Sequence, residues 1–154
     1  MSGESPKISV VIPLYNKRTT IERAVRSVLA QKVCPHEIII VDDGSTDGGG
    51  DLADRMAADE RLIRVIHQPN AGVSAARNRA IEEAAGDYVA LLDSDDTWHT
   101  GYLAEIVRLI GKYPDCGAYA TGFYVCDGHR RIEGDTPRSE GVVDFFAESL
   151  HRYV

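Results

Sequence analysis

Five carboxylates stand directly behind two apolar runs. Asp42 and Asp43 follow Ile38-Ile39-Ile40-Val41, and Asp93-Ser94-Asp95-Asp96 follows Tyr88-Val89-Ala90-Leu91-Leu92. Each run is aliphatic or β-branched and too short for a helix, so it reads as a buried strand. In an open parallel sheet, ligands bind outside the carboxyl ends of the strands. Two strands that end in acids therefore predict one crevice holding Asp42, Asp43, Asp93, Asp95 and Asp96. Like charges at that density repel unless a cation sits among them. Hard oxygen donors suit Mg2+ or Mn2+, which bridge to diphosphate oxygens and neutralise a leaving group. Asp93 and Asp95, two apart on an extended segment, would point to the same side. A calcium loop of the EF-hand kind does not fit, because the required glycine and terminal glutamate are missing.

Other residues border the same crevice. Gly44 lets the chain turn sharply after Asp43, and Ser45 or Asp47 can cap the helix that follows. Tyr15 and Asn16 stand where a first strand ends, and an aromatic there can pack beside a nucleobase. Asn70 to Asn78 (NAGVSAARN) opens a helix, whose N–H groups favour anions. Arg77 could reach a phosphate or pair with the acids; a cap plus a surface salt bridge would explain the same residues. Trp98 either stacks on a sugar or covers the sheet edge, and His99 reads as a helix-start residue rather than a metal ligand.

The elements that would position these groups alternate. Strands are expected at Lys7–Tyr15, Glu37–Val41, Leu62–His67, Tyr88–Leu92 and Ala118–Val125. Helices are expected from Thr19 or Thr20 to Gln31, about Asp51–Asp59, Val73–Ala85 closed by Gly86, His99 or Thr100 to Lys112, and Val142–Tyr153. In the first helix, Ile21, Ala24, Val25, Val28 and Leu29 form an apolar stripe. Such βα alternation predicts an α/β fold with a mostly parallel sheet, helices on both faces and right-handed crossovers. No linker divides the chain, so residues 1–154 read as a single domain. No GxGxxG, GxxxxGK[ST] or GxSxG occurs, which argues against a dinucleotide site, a P-loop and a nucleophile elbow.

Composition narrows the class. The chain has 154 residues, 44% of them hydrophobic and 27% charged, as in an ordinary globular domain. Disorder is expected only at Met1 to Pro6 and near Gly128 to Gly141. The net charge of -7 argues against nucleic acid or an anionic membrane as partner. Cys34, Cys116 and Cys126 show no zinc spacing and no even framework, so they read as reduced thiols of a cytosolic protein.

Four motifs in order, ISVVIPLYNK, IIIVDDGSTDGG, NAGVSAARNRAI and DYVALLDSDDTW, resemble family 2 glycosyltransferases of the GT-A fold, a three-layer α/β/α Rossmann-like architecture. The resemblance covers roughly residues 7 to 98. It implies a nucleotide-sugar donor, commonly a UDP-sugar, with Asp42 and Asp43 near uracil or ribose. Asp93-Ser94-Asp95 would be the DxD motif, with Asp95 the main Mn2+ or Mg2+ ligand and Asp93 facing ribose or metal. Asp96 would lie close to the sugar, and Pro13, Tyr15, Asn16, Ser74, Arg77 and Ser94 would complete the donor site. The acceptor would be a saccharide or lipid-linked hydroxyl, and configuration would be inverted. The setting would be glycan synthesis in the cytoplasm or at the cytoplasmic face of the membrane. The family's catalytic base comes from a later acidic motif. Asp127, Asp135, Glu140 and Asp144 stand in no recognisable context, so the chain reads as the donor-binding part, shortened on the acceptor side, with an edge that favours a homodimer. Two other readings are a non-catalytic nucleotide-binding module and a haloacid-dehalogenase-like phosphatase using Asp93 and Asp95; Asp96 in place of glycine disfavours the latter.

Overall fold

The computed structural model describes residues 5–126 and 131–133. It contains two compact units, residues 1–107 and 108–154. The first unit carries a four-stranded parallel sheet: β1 (Ile8–Leu14), β2 (Glu37–Asp42), β3 (Ile63–His67) and β4 (Tyr88–Leu91), in the order β3-β2-β1-β4. The helices are α1 (Ile21–Leu29), α2 (Gly49–Asp59), α3 (Val73–Glu83) and α4 (Tyr102–Lys112). The α/β architecture expected from the alternation is present. Because β1, β2 and β3 step one way and β4 returns to the far side of β1, the order reverses between β1 and β4. Ligand crevices form at such reversals.

Strand periodicity divides the core. Val11, Ile39 and Val41 face Ala76 and Ala80 of α3, whose small side chains let the helix lie close to the sheet. Val10, Ile12, Leu14, Ile38 and Ile40 alternate with them, so they project from the other face, and they are equally buried. That side takes α2, since a side chain at Gly50 would collide with Asp42, which shares the parity of Ile38 and Ile40. α1 packs beside α2 and buries a stripe of Ile21, Ala24, Val25 and Val28. Leu29, expected on that stripe, is exposed.

Several boundaries differ from expectation for physical reasons. α1 starts one residue after Thr20, whose hydroxyl donates to the Lys17 carbonyl instead of capping. The N-cap of α2 is Gly48 in the left-handed region. Ser45 Oγ instead accepts the Asn16 N–H, and Asp47 accepts the N–H groups of Arg18 and Gly49. α3 ends at Glu83 with an extended Ala84, so Gly86 is not its left-handed cap. Gly86 lies against β1, where a Cβ would come within 2.8 Å of Lys7 O, Ser9 N and Ser9 Oγ.

The expected fifth strand of the sheet is a correction. Of the expected Ala118–Val125 run, Tyr124 and Val125 are extended, as part of β5 (Tyr124–Cys126), which pairs antiparallel with Arg131–Glu133 (β6) as a separate two-stranded sheet. Phe123, Tyr124 and Val125 are exposed, so the aromatic and β-branched composition did not signal burial. The helix expected at Val142–Tyr153, most of the two stretches expected to be disordered, and the acids Asp127, Asp135, Glu140 and Asp144 lie outside the described residues. No helix among the described residues is long and apolar enough to cross a membrane. Cys34, Cys116 and Cys126 are free thiols.

Candidate functional site

Asp42 and Asp43 are consecutive at the end of β2, so their side chains leave on opposite faces. Asp42 turns toward α2. Its Oδ1 accepts the Ser45 N–H at 3.1 Å, and its Oδ2 meets His67 Nδ1 at 3.0 Å. His67 Nε2 meets Asp54 Oδ1, also at 3.0 Å. Only an imidazolium donates from both nitrogens, and hydrogen bonds to Asp42 and then Asp54 raise the His67 pKa above its usual value. A raised histidine stabilises the fold fully below the unfolded-state pKa, about 6.5, and loses that contribution as pH rises through the folded-state value. His67→Gln is therefore expected to flatten the dependence of Tm on pH between about 6 and 8, as read by thermal melts in matched buffers. A wild-type Tm that rises across this interval would contradict the clamp.

Asp43 turns toward α3. Burial pushes its carboxyl up, but donors outweigh it and leave the pKa below the usual range. Gln68 Nε2 and the Ala71 N–H donate to Oδ1 at 2.8 and 2.9 Å, and the Gly72 N–H donates to Oδ2 at 2.8 Å. The carboxylate thus fixes the loop that opens α3. Gly44 makes this possible: its φ is +74°, and a Cβ would sit 3.0 Å from Asn70 N. Asn16, also left-handed at φ 50°, joins the ends of β1 and β2, because its Oδ1 accepts the Thr46 N–H at 2.8 Å.

The second acidic segment, Asp93 to Asp96, is a turn rather than an extended strand end. The Asp96 N–H donates to the Asp93 carbonyl at 3.0 Å. Basic side chains from α3, α1 and the loop between β1 and α1 meet it. Arg77 of α3 pairs with Asp93 Oδ1 at 2.5 Å, and Lys17 pairs with Asp95 Oδ2 at 2.7 Å. Arg23 of α1 donates to the Asp95 carbonyl at 2.8 Å. Hydrogen bonding to Lys17 holds the Asp95 carboxyl below its ordinary value. Asp96 has no ion-pair partner among the described residues; burial, then Asp95 and Asp93, push its carboxyl up against the weaker opposing charge of Arg23. The like-charge problem in the sequence is met in part by the chain's own cations, of which Lys17 and Arg23 were not among the sequence candidates. A lysine just behind the Tyr15-Asn16 strand end was the available signal.

An open cavity of about 460 Å³ lies among these groups at the β1/β4 reversal, within the range of small-molecule sites. Pro13, Tyr15, Lys17, Asp43, Arg77, Asp93, Ser94 and Asp95 line it, with Asn70, Gly72, Val73 and Ala76 on the α3 side. Asn16, Asp42, Ser74 and Asp96 are not in its wall. Asn16 and Asp42 support the loops behind it. Trp98 stacks on Tyr102 with ring centroids 4.3 Å apart, and His99 Nδ1 accepts the Gly101 N–H at the start of α4.

The model for "Glycosyl transferase family 2" matches residues 9–149. This chain belongs to that family. TuaG of Bacillus subtilis (strain 168), named for a glycosyltransferase of teichuronic acid biosynthesis, is 48% identical over 124 residues, which are 80% of this chain and 49% of TuaG. The crystal structure of S. aureus TarS 1-349 in complex with UDP-GlcNAc matches with a TM-score of 0.64 and 28% identity, over 70% of this chain and 32% of that one. Mannosyltransferase PcManGT from Pyrobaculum calidifontis, in complex with GDP-Man and Mn2+, matches with the same TM-score and identity, over 70% of this chain and 33% of that one. The chain thus spans about half or less of the length of these relatives. Within the family-2 domain, all four sequence motifs touch one end of one sheet. Only their strand-end and helix-start residues reach the cavity.

Proposed function

We propose that this chain is the donor-binding part of a glycosyltransferase that moves a sugar from a nucleotide-sugar, a UDP-sugar, to a hydroxyl acceptor with inversion. The observation that carries the reading is the cavity wall, where Asp43, Asp93 and Asp95 meet Tyr15, Lys17 and Arg77 at the sheet's reversal point. The named ligands of the structural neighbours, UDP-GlcNAc in one and GDP-Man with Mn2+ in the other, support it. Tyr15, 49% exposed at the cavity, offers a ring face to the base. Asp43 faces the nucleoside side and orders the α3 loop, and Arg77 and Lys17 supply positive charge for the diphosphate. Asp96 is the proposed sugar contact, and Asn16, Asp42, Ser74 and Ser94 belong to the donor site or its supports.

A divalent metal fits the donor set in one form. No group of three metal-ligating side chains converges among the described residues. One or two carboxylates plus substrate phosphates are a usual way to hold Mg2+. Asp95 and Asp93, both in the cavity wall, would hold Mn2+ or Mg2+ together with the diphosphate. Such an ion neutralises the diphosphate and makes it a better leaving group. The acceptor is a saccharide or lipid-linked hydroxyl, the setting is glycan synthesis at the cytoplasmic side, and the protein pairs as a homodimer; the base lies beyond the residues described.

Calorimetry with UDP tests the reading. UDP is expected to bind with Mn2+ present and to be released by excess EDTA, and GDP is expected to bind more weakly. UDP binding that ignores EDTA removes the metal from the reading. No binding of either nucleotide by the folded chain removes the donor site.

A further inference from the structure

Asp95 is held in two ways that differ in kind. Arg23 takes its backbone carbonyl, whereas Lys17 takes its carboxylate. The first fixes the turn in place. The second occupies a ligating oxygen. Both partners of the second pair are 46% exposed at the side chain, and exposed pairs of this kind are weak and screened. The Lys17 backbone is anchored, since its carbonyl accepts the N–H groups of Thr20 and Ile21. Only the flexible stem and ammonium can move, and Lys17 lines the same cavity as Asp93 and Arg77.

We propose that Lys17 is a built-in counter-cation of Asp95: it holds the carboxylate in the metal-free chain, gives way to a divalent cation, and then serves the anionic diphosphate in the same cavity. This rests on the donor-site reading above. A monovalent ammonium at a ligating oxygen competes with a doubly charged ion and repels it, so it lowers affinity for the metal alone. Nucleotide supplies anionic oxygens that give the displaced ammonium a second partner. Metal and nucleotide then favour each other, since each relieves a cost of binding the other.

The test uses the full chain and Mn2+ alone, titrated into the millimolar range and followed by the electron spin resonance signal of free Mn2+. Wild type, Lys17→Gln and Asp95→Asn are compared, followed by UDP calorimetry at saturating Mn2+. Lys17→Gln is expected to bind Mn2+ alone about three- to tenfold more tightly and UDP severalfold more weakly. If Lys17→Gln binds Mn2+ like wild type while Asp95→Asn loses it, the counter-cation role is overturned and the donor site stands. If Mn2+ binds more tightly but UDP affinity is unchanged, the diphosphate role is overturned. If Asp95→Asn leaves Mn2+ binding unchanged, or no variant binds it, the metal assignment fails and the proposal fails with it.

Discussion

Asp95→Ala is expected to weaken UDP binding in the presence of Mn2+ by about 100-fold, since loss of an outer-shell partner alone costs about 10- to 100-fold in metal affinity. The fold should survive. Asp95 is half exposed, and among the described residues its carboxylate forms an ion pair with Lys17 alone, which is itself half exposed. Surface pairs contribute little to stability, so Tm is expected within about 2 °C of wild type. Two local effects oppose each other. Removing Asp95 leaves Lys17 without its ion pair, but it also removes one of the two charges that push on Asp96. Arg23 still donates to the residue 95 carbonyl, because alanine keeps that atom. The measurement is UDP calorimetry with Mn2+ beside a thermal melt of the same sample. A variant that binds UDP as tightly as wild type would show that the metal is held elsewhere. A variant that melts far below wild type would show that Asp95 serves the fold first.

Charge and hydrophobic pattern made the sheet legible, and strand parity explains what they left out. Ile38 to Val41 and Ile8 to Leu14 are β-branched runs buried on both faces, which is what a central parallel strand requires. The five acids were also visible, but their gathering into one crevice was not decided by sequence position. A one-residue step turns a side chain to the other face. Asp43 therefore reaches the cavity while its neighbour Asp42 goes to His67, whose other ring nitrogen meets Asp54. The turn at Asp93–Asp96 similarly separates Asp95, in the wall, from Asp96, outside it. Lys17, which partners an acid 78 residues away, left no periodic signal. Ala118 to Val125 misled for the opposite reason. Its composition suits a strand, but strand propensity reports a pleated, half-buried surface and names no partner. The pairing went to β6, outside the parallel sheet.

The base of the sheet is expected to be less tolerant than the cavity, and Gly86→Ala is the substitution that shows it. A Cβ at this position would lie 2.8 Å from the Lys7 carbonyl, the Ser9 amide nitrogen and Ser9 Oγ. Two of the three are backbone atoms of β1, so no side-chain rotation relieves the clash. The surrounding hydrogen bonds depend on the same approach. Gly86 N–H donates to Ser9 Oγ at 2.9 Å, and Tyr88 N–H donates to the Lys7 carbonyl at 3.1 Å. Ser9 Oγ in turn donates to Glu37 Oε1 at 2.7 Å, which also accepts the Ala85 N–H at 2.7 Å. Moving residue 86 outward would loosen the entry of β4 beside Ile8 and the turn that holds Glu37. Overpacking with one or two lost hydrogen bonds gives an expected loss of about 3 kcal/mol. At an ordinary urea slope this lowers the midpoint by about 1–3 M. Gly111→Ala supplies the contrast. It sits inside α4 with nothing within 4 Å of a new Cβ, so alanine is expected to stabilise by about 0.5–1 kcal/mol. Equal urea midpoints for wild type and Gly86→Ala would mean that the α3–β4 connection does not press against β1. A midpoint well below wild type, with the Gly111→Ala midpoint at or above it, would locate the cost in the close approach rather than in the loss of a glycine.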